Sequence, residues 1–287
     1  MIKRVAAILY LTLALLCSPQ GGVHRGSLVV FVFSKNSDFI IVAAESREID
    51  RNGKPLDDRG CKVITLGKDT LFFTTGSYRV AARSGEPWNA LKVAGAVYKE
   101  SKKRDALSLS NAWGKKALQW FSLQTKQDLE GLTEKTDRFV TGGFVNFMGD
   151  GIPSVQYQVL GYSRTEQGPF RRPGIETVNP GQVWAMGNGQ ELLTEFLDGK
   201  TKRAVEALGP NDVLRFASAD PAMGSNLARK AIEFAVDNTT GAEKSSLGGP
   251  IDIAILRKNG TIEWVSRKRE CYKIDQDQND SKNLAAP

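Results

Sequence analysis

Ser27-Leu28-Val29-Val30-Phe31-Val32-Phe33 and Phe39-Ile40-Ile41-Val42-Ala43-Ala44-Glu45-Ser46-Arg47, separated by the polar residues Ser34 to Asp38, decide the fold. Each apolar run is short, rich in Val, Ile and Phe, and free of polar interruption. That is the pattern of a strand buried on both faces, and the polar residues between the runs make the turn of a hairpin. The segment from Asp50 to Gly60 contains Asn52-Gly53 and Pro55 and reads as a loop. A second hairpin follows, with Lys62 to Leu66, a turn at Gly67-Lys68-Asp69, and Thr70 to Thr75. Gly76 ends it.

Helical periodicity takes over next. From Pro87 to Lys102, Leu91, Ala94, Val97 and Tyr98 recur on one face, with Pro87 near the N-terminus and Gly95 inside the pattern. From about Ser108 to Leu129, Trp113, Leu118, Trp120, Phe121 and Leu123 line a second helix. Strands return at Arg138 to Met148, Val155 to Ser163 and Gln182 to Met186. A third helix, carrying Leu192, Leu193, Phe196 and Leu197, is expected to open at Gly187-Asn188-Gly189, with Asn188 or Gly189 as its N-cap. A fourth runs from about Pro221 to Val236, and the last hairpin joins Ile251 to Arg257 with Thr261 to Val265. Hairpin links predict mainly antiparallel sheets, and helices grouped in pairs predict an α+β fold of four layers. This is an αββα sandwich of two sheets flanked by helix pairs.

Residues 1–22 read as a signal peptide. Lys3 and Arg4 form a basic start, and Val5 to Leu16 is an apolar stretch too short to span a bilayer. The expected division is a signal at 1–22, one domain at 23–268 and a polar C-terminal tail at 269–287. Export to a periplasm or the extracellular space follows. The net charge of +7, or +5 without Lys3 and Arg4, is mild and interspersed with acidic residues. It carries no stripe of base-reading or stacking groups, which argues against nucleic acid as a partner. The dense cluster Arg267-Lys268-Arg269 reads as a solvated strand end. Cys17 falls in the signal, so Cys61 and Cys271 meet an oxidising space either as a disulfide or as two thiols. The single His24 and the absence of Cys/His spacing argue against zinc, and no cofactor is expected. Any hydrolytic chemistry must therefore use a base other than histidine.

The order of elements and several short motifs resemble the proteasome β-subunit family of the N-terminal nucleophile hydrolases, from about Gly26 to Val265. Gly26-Ser27 stands where that family has Gly before its nucleophilic Thr. Ala43-Ala44-Glu45-Ser46-Arg47 is similar to its Ala-rich motif with an acidic residue and Arg. Gly60-Cys61-Lys62 matches the Gly-x-Lys of the catalytic lysine, and Gly76 falls at the oxyanion glycine. Gly187-Asn188-Gly189 is similar to its Gly-Ser-Gly, and Gly248-Gly249-Pro250-Ile251-Asp252-Ile253-Ala254 to its Gly-Gly-x-Ile-Asp-Val-Ala strand. The chain departs from the pattern with Ser for Thr at 27, Glu for Asp at 45 and Asn188 for Ser. Leu247 stands where a helper Ser belongs. Asp237 is the nearest candidate for a helper acid, across an insertion.

The resemblance implies catalytic residues Ser27, Glu45, Lys62 and Gly76. A free N-terminal serine needs no histidine, because its own α-amine, pKa about 8, accepts the hydroxyl proton. A lysine beside the hydroxyl favours the incipient alkoxide, and a carboxylate holds that lysine in place and charged. A glycine N–H stabilises the oxyanion. The bond between Gly26 and Ser27 must first be cut. Substrates would be peptides or other amides, with a pocket drawn from the loop at Glu48 to Arg59 and the strand after it, and self-association is expected. Each residue also has a plainer structural reading. Ser27 would be the polar start of a strand, Lys62 a surface lysine or a structural partner of Glu45, Glu45 a strand-end partner of Arg47, Lys62 or a loop donor, and Gly76 a turn former. Gly187-Asn188-Gly189 would be a helix cap and the helix aromatics core. Two functions stay open, an amide-bond hydrolase and a catalytically inactive binding or assembly module.

Overall fold

A computed structural model of the chain describes residues 23–24, 27–49, 54–80, 87–124, 138–163, 165–176, 180–187, 220–240 and 246–280. The expected signal at 1–22 and the expected helix beyond Gly187, with Asn188 and Gly189, lie outside them.

The strands are β1 (Val23–His24), β2 (Leu28–Phe33), β3 (Phe39–Ala44), β4 (Glu48–Ile49), β5 (Pro55–Asp57), β6 (Val63–Leu66), β7 (Thr70–Gly76), β8 (Arg79–Val80) and β9 (Trp88–Asn89). After helices α1 (Ala90–Glu100) and α2 (Ala106–Ser122) come β10 (Arg138–Phe147), β11 (Pro153–Ser163), β12 (Gly168–Glu176) and β13 (Val183–Gly187). Helix α3 (Pro221–Asn238), β14 (Asp252–Arg257), β15 (Ile262–Ser266) and helix α4 (Arg269–Asp280) complete the described chain. Two five-stranded sheets run β12-β11-β10-β7-β6 and β13-β2-β3-β14-β15, antiparallel throughout.

The unbroken apolar runs have a direct cause. Successive side chains of a strand point to opposite faces, and both faces of the second sheet are covered. Leu28, Val30 and Val32 of β2, with Phe39, Ile41 and Ala43 of β3, pack under Leu227, Ala231 and Ile232 of α3. The alternate residues Val29, Phe31, Phe33, Ile40, Val42 and Ala44 meet Val63, Leu71, Phe73 and Val145 of the first sheet. Phe31 lies at the centre of this layer. Its ring is 4.9 Å from Phe73, edge to face, and 4.8 Å from Trp184, stacked. Phe31→Ala would leave a cavity costing about 3–5 kcal/mol. The outer face of the first sheet carries α1 and α2, where Trp113 sits between Phe72 and Trp88 and donates its indole N–H to the Ala90 carbonyl at 3.1 Å. Helices, sheet, sheet and helix therefore succeed one another.

The caps explain the helix boundaries. Asn89 accepts from the Leu91 and Lys92 N–H groups, so α1 starts at Ala90 rather than Pro87. Asp105 accepts from Ser108 and starts α2 at Ala106, and Asp220 with Pro221 opens α3. Strand β12 was not expected from the sequence. Pro169 and Pro173 argue against a strand, but β12 pairs only with β11, and an edge strand tolerates a residue with no N–H.

The segment at 269–287, expected as a polar tail, begins instead with α4. Cys271, Ile274 and Asp275 recur at helical spacing on its inner face. A stripe this short escapes composition, and a disulfide from Cys271 to Cys61 anchors it.

Candidate active site

Antiparallel register brings the first components together. Val29 pairs with Ala44, so the start of β2 and the end of β3 share one edge of the second sheet. Ser27 lies two residues before Val29 and Glu45 one residue after Ala44, both buried. Glu45 is fixed by backbone donors. The Leu28 N–H reaches its Oε1 at 3.1 Å, the Arg47 N–H its Oε2 at 2.7 Å, and the Gly248 N–H its Oε2 at 3.4 Å.

Lys62 comes from the other layer. It precedes β6, and its carbonyl accepts from the Thr74 N–H at 2.9 Å, which continues the β6–β7 ladder. Its side chain crosses to the second sheet, where Nζ donates to Ser27 Oγ at 2.7 Å and to the Arg47 carbonyl at 3.0 Å. Glu45 Oε1 is 3.8 Å from Nζ, an ion pair longer than a hydrogen bond. The carboxylate thus acts on Lys62 mainly through charge, while Ser27 and the Arg47 carbonyl set its position. The Tyr78 ring, centroid 5.1 Å away, covers the ammonium.

Burial opposes both charges. It raises the Glu45 carboxyl above the usual range, against the pull of Lys62 and the three N–H groups. It lowers the Lys62 ammonium, against the attraction of Glu45 and Glu48, with Lys268 adding to the decrease. The Ser27 hydroxyl thus accepts from an ammonium whose charge would favour an alkoxide on Oγ.

Two glycine stretches make room. Gly187 pairs with Leu28 at φ +108, and a Cβ built on it lies 2.0 Å from the Ser27 carbonyl oxygen and 3.4 Å from Thr75 Cγ2. The end of β7 therefore sits beside Ser27. Gly76, the next residue, has φ +82 and Phe139 O 2.7 Å from a built Cβ, so its own geometry requires glycine. Its assignment as oxyanion donor rests on the resemblance. At Gly248 and Gly249 a side chain would meet the Arg47 guanidinium and Ser46 Oγ, each at 2.7 Å. That guanidinium is held by Asp58 at 2.8 and 3.1 Å and by the Leu247 carbonyl at 3.0 Å. Strand β1, just upstream of Ser27, lies antiparallel on β8, just downstream of Gly76.

Ser27, Glu45 and Lys62 are thus brought together, and the helper positions are not. Leu247 is core beneath α3, and Asp237 is exposed on α3. The cluster read as a solvated strand end is corrected in part. Arg269 is exposed, but the Arg267 side chain is fully buried and that of Lys268 nearly so. Buried Asp252 demands them, since it lies 3.3 Å from Arg267 and 2.8 Å from Lys268. Sequence reasoning missed these residues, along with Arg47's carbonyl and Tyr78. The Ile-Asp strand motif followed by a basic run was the available signal. Among the described residues no cluster of three or more His, Cys, Asp or Glu suits a metal, and no helix is long and apolar enough to cross a membrane. An open groove of about 640 Å³, lined by Thr65, Gly67, Trp264 and Tyr272, lies at the far end of β6 and holds none of the site residues.

No protein-family model matches this chain, and no curated protein matches it.

Proposed function

We propose that the chain is an exported amide-bond hydrolase of the N-terminal nucleophile type, with the αββα architecture of proteasome-like subunits. The observation that carries this reading is the 2.7 Å contact between Lys62 Nζ and Ser27 Oγ, made between two layers at a buried position. Cleavage of the Gly26–Ser27 bond frees the serine α-amine. The amine takes the hydroxyl proton as Oγ attacks the substrate carbonyl, and the Lys62 charge favours the alkoxide. The Gly76 N–H stabilises the oxyanion, the amine returns the proton to the leaving nitrogen, and water releases the acyl group. Glu45 opposes the loss of the Lys62 charge that burial favours. The Cys61–Cys271 disulfide supports export. Peptides or other amides are the substrates, and self-association accompanies the fold. A strict monomer on sizing would remove that last point.

The second reading is an inactive binding or assembly module of the same fold. The core position of Leu247 and the exposed Asp237 favour it. N-terminal sequencing of the mature protein separates the two. A start at Ser27 supports the hydrolase, and a stable product starting at Gly21 to Val23 supports the module. Ser27→Ala and Lys62→Ala would each abolish amide hydrolysis in the first case.

A further inference from the structure

We propose that Lys268 is a positioning residue for Lys62, acting through the segment from Gly60 to Val63, with α4 as the brace that holds it. The inference rests on the reading of Ser27 and Lys62 as a hydrolytic pair.

Four links join residues 267–275 to the segment that bears Lys62. Lys268 Nζ donates to the Gly60 carbonyl at 2.6 Å, and Cys271 is bonded to Cys61. Arg267 donates to the Val63 carbonyl at 2.7 Å, and Asp275 accepts from the Thr65 N–H at 2.9 Å. These partners also occupy backbone groups of β6, an edge strand. The far side of the segment is gripped too. The Gly60 N–H donates to the Ser46 carbonyl at 2.9 Å, and a Cβ on Gly60 would lie 2.7 Å from that oxygen and 2.8 Å from Glu48 Oε1. Gly60 is therefore wedged between the Glu45–Glu48 stretch and Lys268.

Lys268 is itself anchored. Its Nζ lies 2.8 Å from Asp252 Oδ2, and its N–H donates to Asp252 Oδ1 at 2.9 Å. Asp252 pairs with Ala44, the residue before Glu45. The path Glu45, Asp252, Lys268, Gly60, Lys62 thus ties the two layers at the mouth where Ser27 sits. Removal of Lys268 leaves Asp252 paired with Arg267 at 3.3 Å, so the carboxylate keeps a counter-charge while the Gly60 carbonyl loses its ammonium donor.

Lys268 also acts through its charge. The groups facing Lys62 include Glu45 after β3, Glu48 on β4, the Tyr78 ring after β7, and Lys268 between β15 and α4. Arg47 offers its carbonyl and turns its guanidinium to Asp58. Among these, Lys268 disfavours the charged Lys62, so its loss lets the ammonium persist to higher pH.

The test uses the mature full-length protein carrying 13Cε-lysine. Acylation of Ser27 by a β-lactone is followed by intact mass, and the Lys62 signal is titrated by NMR. Lys268→Met is expected to slow acylation about tenfold or more, as displacement of a reacting group does, and to move the Lys62 titration to higher pH. A merely structural role would not move the titration in that direction. If Lys268→Met does not fold, dithiothreitol reduction of Cys61–Cys271 in the folded wild type loosens the same segment and is expected to slow acylation likewise. An unchanged rate with an unchanged Lys62 titration in Lys268→Met overturns the proposal, as does an unchanged rate after reduction. If Ser27→Ala is labelled as fast as wild type, the hydrolase reading fails, while the Lys62 titration still decides the brace.

Discussion

Lys62→Met removes the ammonium and keeps most of the stem, so packing changes little while Glu45 loses its counter-charge. At the observed 3.8 Å, an effective dielectric of about 20 puts the attraction at about 4 kcal/mol. Breaking one partner of a buried pair costs roughly 3–5 kcal/mol. The three N–H groups on Glu45 remain, so the lower half of that range is expected near neutral pH. The cost also depends on pH. Burial raises the Glu45 carboxyl, and Lys62 is the largest influence opposing it. A raised carboxyl binds its proton more tightly in the folded state. The stability it contributes is whole below the ordinary glutamate range and lost as pH rises through the folded value. Without Lys62 the carboxyl rises further, so the deficit of the variant relative to wild type grows with pH. Urea denaturation of the disulfide-intact proteins at about pH 5, 6.5 and 8 measures this through the midpoint at constant m. Adding Glu45→Gln should flatten the slope. Equal stability of Lys62→Met and wild type at about pH 8, or a deficit that shrinks as pH rises, refutes the reasoning.

Gly187→Ala should destabilise by more than the roughly 1–3 kcal/mol of its left-handed backbone, because the built Cβ lies 2.0 Å from the Ser27 carbonyl oxygen. Thermal unfolding checks this, and a wild-type midpoint would remove Gly187 from the account of Ser27's position. Replacing both Cys61 and Cys271 by Ser opens a tether spanning 210 residues and should cost about 2–5 kcal/mol, read as a lower urea midpoint. Arg47→Lys loses the two-pronged contact with Asp58 and should lower stability by about 1 kcal/mol. Its measurement is the same denaturation series, and no change would show that the Arg47 carbonyl holds its place without the guanidinium.

The runs at Leu28 to Phe33 and Phe39 to Ala44 were legible as buried strands because only a strand covered on both faces carries so many successive apolar residues. Ser27, Glu45 and Lys62 were legible as candidates because the short motifs that carry them resemble those of the N-terminal nucleophile hydrolases, and the register of the first hairpin brings the start of β2 beside the end of β3. Position across the layers was not legible. Whether Lys62 reaches Ser27 depends on how two sheets stack, and that is settled by the shared core around Phe31 and Phe73. One of the three N–H donors to Glu45 came from Gly248, distant in the chain, and the basic run at 267 to 269 seemed solvated until buried Asp252 claimed two of its charges. Likewise β12 and α4 were hidden, since an edge position excuses prolines and a disulfide holds a short polar helix. Local chemistry determined the strands and the reactive residue types. Packing between distant segments decided which of those residues meet, because burial and charge compensation depend on partners that the linear order does not name.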